Sequence, residues 1–362
     1  MKYSILITYY SGKNLVNSAV TLLCQSLGDR QDVEIIISND NPNENITAFS
    51  DIDKYNRIHI INSDKNGGYS VALNRAAQKA TGCFLVLMDS DIFVTPNWLN
   101  GLEKAYNDNK NVGCVSSTIL SINNGSVVHW GLSIVGIEVL KPYRDYYLPQ
   151  KVKNSTTEFP LLTSGCLMVS RELFNKVHGM DPMFYNGYCD LDFAAKIREL
   201  GYSNYATTES IVYHRGKVAG QIRLMGEEDT RALFFARWSD KLKIDGIKLF
   251  QKLLLLYGID FSRKYLLLNC SKSIYFEQYI ESIKNVCNFT IEIIYDYKSC
   301  QLPLMLEDIC PWNLSAEKTS IMYFCDNATL LLQNKHWFFH RKGKGDIIVD
   351  RNGNVIQTDS LI

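Results

Sequence analysis

Short runs of β-branched and aliphatic residues, Tyr3 to Thr8, Val33 to Ile37, Ile58 to Ile61, Phe84 to Met88 and Val112 to Ser116, punctuate the first third of the chain. Each has the length and character of a buried strand. Between them Leu15, Ala19, Leu22 and Leu23, and then Ala72, Leu73, Ala76, Ala77 and Ala80, return at helical spacing, with Gly82 placed to cap the second helix. This alternation predicts an α/β fold with a largely parallel sheet and crossover helices packed on it. Ligands of such sheets bind beyond the carboxyl ends of the strands. That rule singles out Tyr9-Tyr10, Asn39-Asp40-Asn41, Asn66-Gly67-Gly68 and Asp89-Ser90-Asp91.

The rhythm changes after Tyr213. Residues 229–238 and 246–257 read as helices, and 265–268, 291–295 and 321–324 as strands around a helix near 276–286. Residues 347–349 and 355–356 flank Asn352-Gly353, a dipeptide suited to a type I′ hairpin turn. The pattern divides the chain into a first domain over residues 1–245 and a small α+β C-terminal region over 246–362. A length of 362 residues accommodates both at roughly 150 residues per domain.

Charge and composition narrow the function. Lys+Arg and Asp+Glu both number 38, so there is no positive field to hold a polyanion, and nucleic acid is not the expected partner. Hydrophobic residues at 46% and charged residues at 21% exclude a disordered chain. Ten cysteines are scattered without a C-x-x-C pair and no secretory leader precedes them, which predicts reduced thiols in the cytoplasm and no structural zinc. The most apolar stretch, Leu249 to Leu268, is interrupted by Lys252, Asp260, Arg263 and Lys264. It cannot span a bilayer, though Leu249 to Leu256 offers an interfacial helix for peripheral attachment at the inner face of the membrane.

The strongest chemical signal is Leu85-Val86-Leu87-Met88-Asp89-Ser90-Asp91, in which an apolar strand delivers two carboxylates, one residue apart, at its carboxyl end. Hard oxygen ligands in that position suit Mg²⁺ or Mn²⁺; the alternative is that they cap the segment before a helix from Asn97 to Asn109.

The ordered set Ile5-Leu6-Ile7-Thr8-Tyr9, Glu34 to Asn41, Asn66-Gly67-Gly68 with Ala72 and Asn74, and Asp89-Ser90-Asp91 resembles glycosyltransferase family 2, the inverting nucleotide-sugar transferases of GT-A fold. A second block, Ser164-Gly165-Cys166 through Gly179-Met180-Asp181 to Cys189-Asp190-Leu191-Asp192 and Gly201-Tyr202, resembles the acceptor half of the same domain, so the likeness covers about residues 1–240. It implies a divalent cation, Mn²⁺ or Mg²⁺, held by Asp89 and Asp91 and completed by His214, which otherwise reads as a strand-end histidine. It places the nucleotide sugar against Thr8, Tyr9, Asn39, Asp40, Asn66, Gly68, Asn74 and Ser90, with Asn39 standing where relatives commonly carry a first acid. Asn39 to Pro42 is also a good turn, and Asn66-Gly67-Gly68 either approaches the diphosphate closely or turns the chain into its helix.

The resemblance makes Asp190 the general base that inversion requires, with Cys189 where the family has glutamate; Asp190 alternatively caps the helix of Phe193, Ile197 and Leu200. Residues two apart on a helix differ by about 200°, so Asp192 cannot share a target with Asp190 and instead orients the site or pairs with Lys196. Trp130, Gly165 and Asp192 fall on the acceptor side, Trp130 as a sugar platform or as core. The implied partners are a nucleotide-sugar donor and a glycan or lipid-linked acceptor, in bacterial surface polysaccharide synthesis. Two other classes compete: a noncatalytic nucleotide- or glycan-binding relative, and a sugar nucleotidyltransferase, whose glycine- and Arg/Lys-bearing first loop is not matched by Tyr9-Tyr10-Ser11-Gly12-Lys13.

Overall fold

A computed structural model describes residues 1–47, 57–136, 139–142, 154–216, 226–242, 265–269, 320–325, 335–350 and 355–360. The chain forms two compact units, Met1–Ile244 and Asp245–Ile362.

The first unit opens with β1 (Tyr3–Tyr9), α1 (Lys13–Leu27), β2 (Val33–Asn39), β3 (Ile58–Asn62), α2 (Gly68–Lys79) and β4 (Phe84–Asp89). The next stretch holds β5 (Ile92–Val94), α3 (Trp98–Asp108), β6 (Val112–Ser121), β7 (Val127–His129), β8 (Leu132–Gly136) and β9 (Val139–Pro142). It closes with β10 (Thr156–Phe159), β11 (Cys166–Ser170), α4 (Arg171–Lys176), α5 (Cys189–Glu199), β12 (Ser203–His214) and α6 (Glu227–Trp238). The ten-stranded sheet runs β10-β12-β6-β11-β4-β1-β2-β3, with β5 on β12 and β7 on β6. β3, β2, β1 and β4 are parallel neighbours, β11 runs antiparallel to β4 and β6, and β12 lies parallel to β6. Ile5 and Leu6 of β1 and Leu85 to Leu87 of β4 are all fully buried, as central parallel strands covered on both faces must be.

The expected strands and helices of this unit are present, most of them one to several residues longer at an end. Gly82 departs from its expected capping role. α2 ends on Ala80 as C-cap, and Gly82 lies against β1, where a Cβ would come within 2.6 Å of the Ser4 amide. Close approach of backbones, not a left-handed cap, requires the glycine.

The same corner holds a buried carboxylate. Glu34 of β2, 4% exposed, accepts from Ser4 Oγ at 2.5 Å, Thr81 N at 2.7 Å and Thr81 Oγ1 at 2.8 Å. Burial alone would raise its carboxyl, but these hydrogen bonds to the charged form outweigh it and hold the group below its ordinary value. A depressed folded-state value adds stability above the unfolded value, near 4.3, that disappears as pH falls through the folded one. Glu34→Gln is therefore expected to cost about 2 kcal/mol at pH 7. In urea unfolding, the gap between variant and wild type will close as pH is lowered below about 4; a gap independent of pH would contradict this.

The second unit contains β13 (Tyr265–Asn269), β14 (Ser320–Cys325), α7 (Lys335–His340), β15 (Ile347–Asp350) and β16 (Val355–Gln357), in the sheet order β13-β14-β15-β16. The first three strands are parallel, and β16 returns antiparallel to β15, as expected of a hairpin. Asn352-Gly353, the helices expected at 246–257 and 276–286, the strand at 291–295 and the interfacial stretch Leu249 to Leu256 lie outside the described residues. Buried Asp346 accepts from Arg341 Nε and Nη2, both at 2.7 Å, and from the amide of Ile321 at 2.8 Å, tying the turn after α7 to β14. Among the described residues no helix is long and apolar enough to cross a membrane.

Candidate active site

Strand ends and their flanking loops meet at one edge of the first unit. β4 ends on Asp89, in parallel register with Thr8 of β1, and the chain turns through Ser90 and Asp91 into β5. β5 pairs antiparallel with the end of β12, setting Ile92 opposite His214. That register puts His214 beside Asp91, with Nε2 3.1 Å from Asp91 Oδ2. Asp91 is 7% exposed, and its Oδ2 also accepts from the amide of Gly216 at 3.2 Å. One ligand atom from each of Asp89, Asp91 and His214 lies within 4.8 Å of the others. Two carboxylates and an imidazole converging so closely fit a divalent cation, and the imidazole suits Mn²⁺. His214 lies more than a hundred positions beyond Asp89 and Asp91 in sequence, so its convergence with them is a product of the fold. Asp89 and Asp91 do not cap the following helix, whose N-cap is Asn97.

Asp190 sits in the first turn of α5. It is not the cap of that helix: Tyr188 is, with φ 59°. Its Oδ2 accepts from the amide of Ser164 at 3.2 Å and its Oδ1 from the amide of Leu191 at 2.9 Å. The next residue of the Ser164 loop, Gly165, accepts from the amide of Asp89 through its carbonyl at 3.0 Å. A Cβ at Gly165 would stand 2.8 Å from Ile119 Cδ1 and 3.4 Å from Asp89 Oδ2, so a side chain there would crowd the carboxylate. The dipeptide Ser164-Gly165 thus spans the metal-type corner and the Asp190 corner. Cys189, buried at 4% exposure, has its thiol pushed up by burial and by neighbouring Asp190, and it stays neutral.

The loops after β2 and β3 are locked together. Asp40 Oδ2 accepts from the amides of Gly67 and Gly68 at 2.9 and 2.8 Å, and its Oδ1 pairs with Arg75 Nη2 at 2.9 Å. Asn66 Oδ1 accepts from the Gly68 amide at 3.1 Å. Gly68 has φ +81°, and a Cβ would strike the Tyr185 carbonyl at 2.6 Å, so only glycine fits. Asn74 bonds the backbone of Met180 in both directions, its Nδ2 donating at 2.7 Å and its Oδ1 accepting at 2.9 Å. Asn39 is fully buried, donating to Asn62 Oδ1 at 2.8 Å and to the Glu44 carbonyl. Thr8 and Ser90 remain partly exposed at the edge.

Three expected site residues face elsewhere. Tyr9 follows Thr8 in a strand and so points to the opposite face; it is 1% exposed, packed with Ile5 and Ile7, and its hydroxyl donates to Glu44 Oε2 at 2.6 Å. Trp130 is 2% exposed with its ring edge-on to Phe159 at 5.7 Å, so its face is a core surface and not a sugar platform. Asp192 is fully buried. Its Oδ1 accepts from Arg237 Nη1 at 2.7 Å and Trp238 Nε1 at 2.9 Å, and its Oδ2 pairs with Lys196 at 2.8 Å, as the i,i+4 spacing predicts. It clamps α6 onto α5 in place of touching the edge. Asp192→Ala is expected to lower stability by about 3 kcal/mol, because Arg237 and Lys196 lose a buried counter-charge, without altering ligand binding; thermal unfolding checks this, and an unchanged midpoint would contradict it.

Motif reading missed Tyr69, Ser164 as a hydrogen-bonding side chain, and Arg75. Tyr69 Oη lies 2.7 Å from Ser164 Oγ, and burial together with the fields of Asp89, Cys189 and Asp190 pushes its phenol well up. Tyr69 sits between two motif glycines and a helical repeat, where a single sequence offers no sign of which aromatic turns inward.

The central sheet and the convergence of acids and histidine at its edge define an α/β unit of GT-A fold. Residues 4–177 match the model of the family "Glycosyl transferase family 2". Over 237 residues the chain is 23% identical to the O-antigen biosynthesis protein RfbC of Myxococcus xanthus, covering 63% of this chain and 18% of that protein. The crystal structure of GalNAc-T7 with UDP, GalNAc and Mn²⁺ is similar at TM-score 0.50 and 17% identity, covering 80% of this chain and 58% of that one. The mannosyltransferase PcManGT of Pyrobaculum calidifontis in complex with GDP-Man and Mn²⁺ aligns at TM-score 0.44 and 17% identity, over 65% and 64% of the two chains. The chain therefore spans less than two thirds of each of these relatives.

Proposed function

We propose that the protein is an inverting, divalent-metal-dependent glycosyltransferase that moves a sugar from a nucleotide-sugar donor to a hydroxyl of a glycan or lipid-linked acceptor in surface polysaccharide synthesis, O-antigen included. The observation that carries this reading is the convergence of Asp89, Asp91 and His214 within 4.8 Å, on the same edge that the Ser164-Gly165 loop links to Asp190. RfbC and the GalNAc-T7 complex support it, as does the family of residues 4–177.

Asp89, Asp91 and His214 would hold Mn²⁺ or Mg²⁺, which when bound neutralises charge on a departing diphosphate. Thr8, Asn66, Gly68 and Ser90 border the nucleotide, while Asn39, Asp40, Asn74 and Arg75 fix the loops that present them. Asp190 takes the proton of the acceptor hydroxyl as its oxygen bonds to the anomeric carbon and the carbon–phosphate oxygen bond breaks, the electron pair leaving with the nucleoside diphosphate. Attack opposite the leaving group inverts the anomeric centre. A carboxylate at Asp190, and no second nucleophile, is what this pathway requires.

NMR of a nucleotide sugar turning over in water tests the reading, since water can stand in for the acceptor. The expected first product is the sugar of anomeric configuration opposite to that in the donor. Retention, or consumption of a nucleoside triphosphate with release of pyrophosphate, would overturn it, the latter in favour of a nucleotidyltransferase.

A further inference from the structure

We propose that Tyr69 is a positioning residue, acting through Ser164 to fix the carboxylate of Asp190. The inference rests on the glycosyl-transfer reading and adds to it a residue that no motif singled out.

The link consists of two bonds. Tyr69 Oη meets Ser164 Oγ at 2.7 Å, and the Ser164 amide donates to Asp190 Oδ2 at 3.2 Å. Ser164 is 4% exposed, so water cannot readily replace the phenol as its partner. Of the two amides that donate to Asp190 here, that of Leu191 at 2.9 Å belongs to its own helix and cannot set the carboxylate against the rest of the edge. Ser164 is an anchor from outside the helix. Its neighbour Gly165 is tied to Asp89, so the orientation of this one dipeptide fixes both corners.

Tyr69 is itself held on both sides. Its amide donates to the Tyr185 carbonyl at 3.0 Å, Ser70 Oγ donates to the Phe184 carbonyl at 2.7 Å, and Gly68 packs its α-carbon against Tyr185 in a conformation only glycine takes up readily. Residues 184 and 185 lead directly into α5, which carries Asp190. The ring thus starts from the segment that introduces the base and ends on the loop that grips it, closing a loop of contacts around Asp190. Preorganisation of this kind matters because a displacement of about 1 Å at a reacting group can cost up to ~100-fold in rate.

The test compares Tyr69→Phe, Ser164→Ala, the double variant and Asp190→Asn with wild type, measuring nucleotide-sugar turnover, binding of UDP or GDP with Mn²⁺, and thermal midpoint. Tyr69→Phe and Ser164→Ala are each expected to lower kcat about tenfold or more while KM and nucleoside-diphosphate affinity stay within about twofold. Their midpoints should lie within a few degrees of wild type. The double variant should lose no more than the worse single one, because both break one link. If Asp190→Asn is inactive while Tyr69→Phe retains wild-type kcat, or if the single losses multiply in the double variant, the positioning role is overturned and the transfer reading stands. If Asp190→Asn turns over like wild type, or wild type turns over no donor, the transfer reading falls and this inference falls with it.

Discussion

Asp91→Ala is expected to lower nucleotide-sugar turnover by about a thousandfold, the equivalent of roughly 4 kcal/mol of transition-state stabilisation. Asp91 is the hinge of the acidic corner. Its carboxylate holds His214 at 3.1 Å and the Gly216 amide at 3.2 Å, so its loss removes one candidate ligand and one of the contacts that place a second. Asp91→Asn keeps the shape and most of the hydrogen bonding but not the charge. Steady-state rates measured across a Mn²⁺ titration separate the two effects: both variants should need at least tenfold more metal for half-maximal rate, with alanine the worse. Wild-type metal dependence in Asp91→Ala would remove the residue from the site.

The second large effect belongs to Asp190. Asp190→Asn removes the proton acceptor and keeps one carbonyl oxygen, enough to accept from the amide of Ser164 or of Leu191 but not from both; the helix start, capped at Tyr188, should survive while kcat falls by about 10² to 10⁴. Binding of a nucleoside diphosphate with Mn²⁺ should be unchanged, since Asp190 reaches the acidic corner through the backbone of Ser164-Gly165 and is not one of its three converging groups. Asp192→Ala provides the contrast two residues away. It faces Arg237, Trp238 and Lys196, and its substitution should reduce stability and spare kcat. Calorimetric binding together with initial rates distinguishes the two aspartates; equal loss of rate in both would mean that α5 acts as a block and that Asp190 has no separate role.

The sheet of the first unit was legible because its central strands are buried on both faces and therefore read as unbroken apolar runs, ending on polar residues at the edge where ligands bind. Asp89, Asp91 and Asp190 stood out for the same reason: each follows an apolar strand or opens a helix. Tyr9 lies on the core face by strand alternation, and of the two readings open for Trp130 its burial fits the core one; an aromatic near a site has the same sequence appearance whether it lines the edge or the core. Gly82 was misread because a glycine needed for close packing against Ser4 looks like a helix cap. Tyr69 and Ser164 escaped because their pairing joins residues 95 positions apart, which local pattern cannot convey. Arg75 escaped in the same way, hidden in an amphipathic helix whose solvated face would ordinarily carry it.

The most direct measurement of the central claim is release of nucleoside diphosphate by the full chain from a panel of UDP-, dTDP-, GDP- and CMP-sugars, with Mn²⁺ and again after chelation. The account predicts that at least one donor is consumed, that chelation abolishes the release, and that added Mn²⁺ restores it. Release unaffected by chelation, or tight binding of a nucleotide sugar with no release under any condition, would contradict it, the first by removing the metal from the reaction and the second by leaving a binding module where an enzyme is proposed.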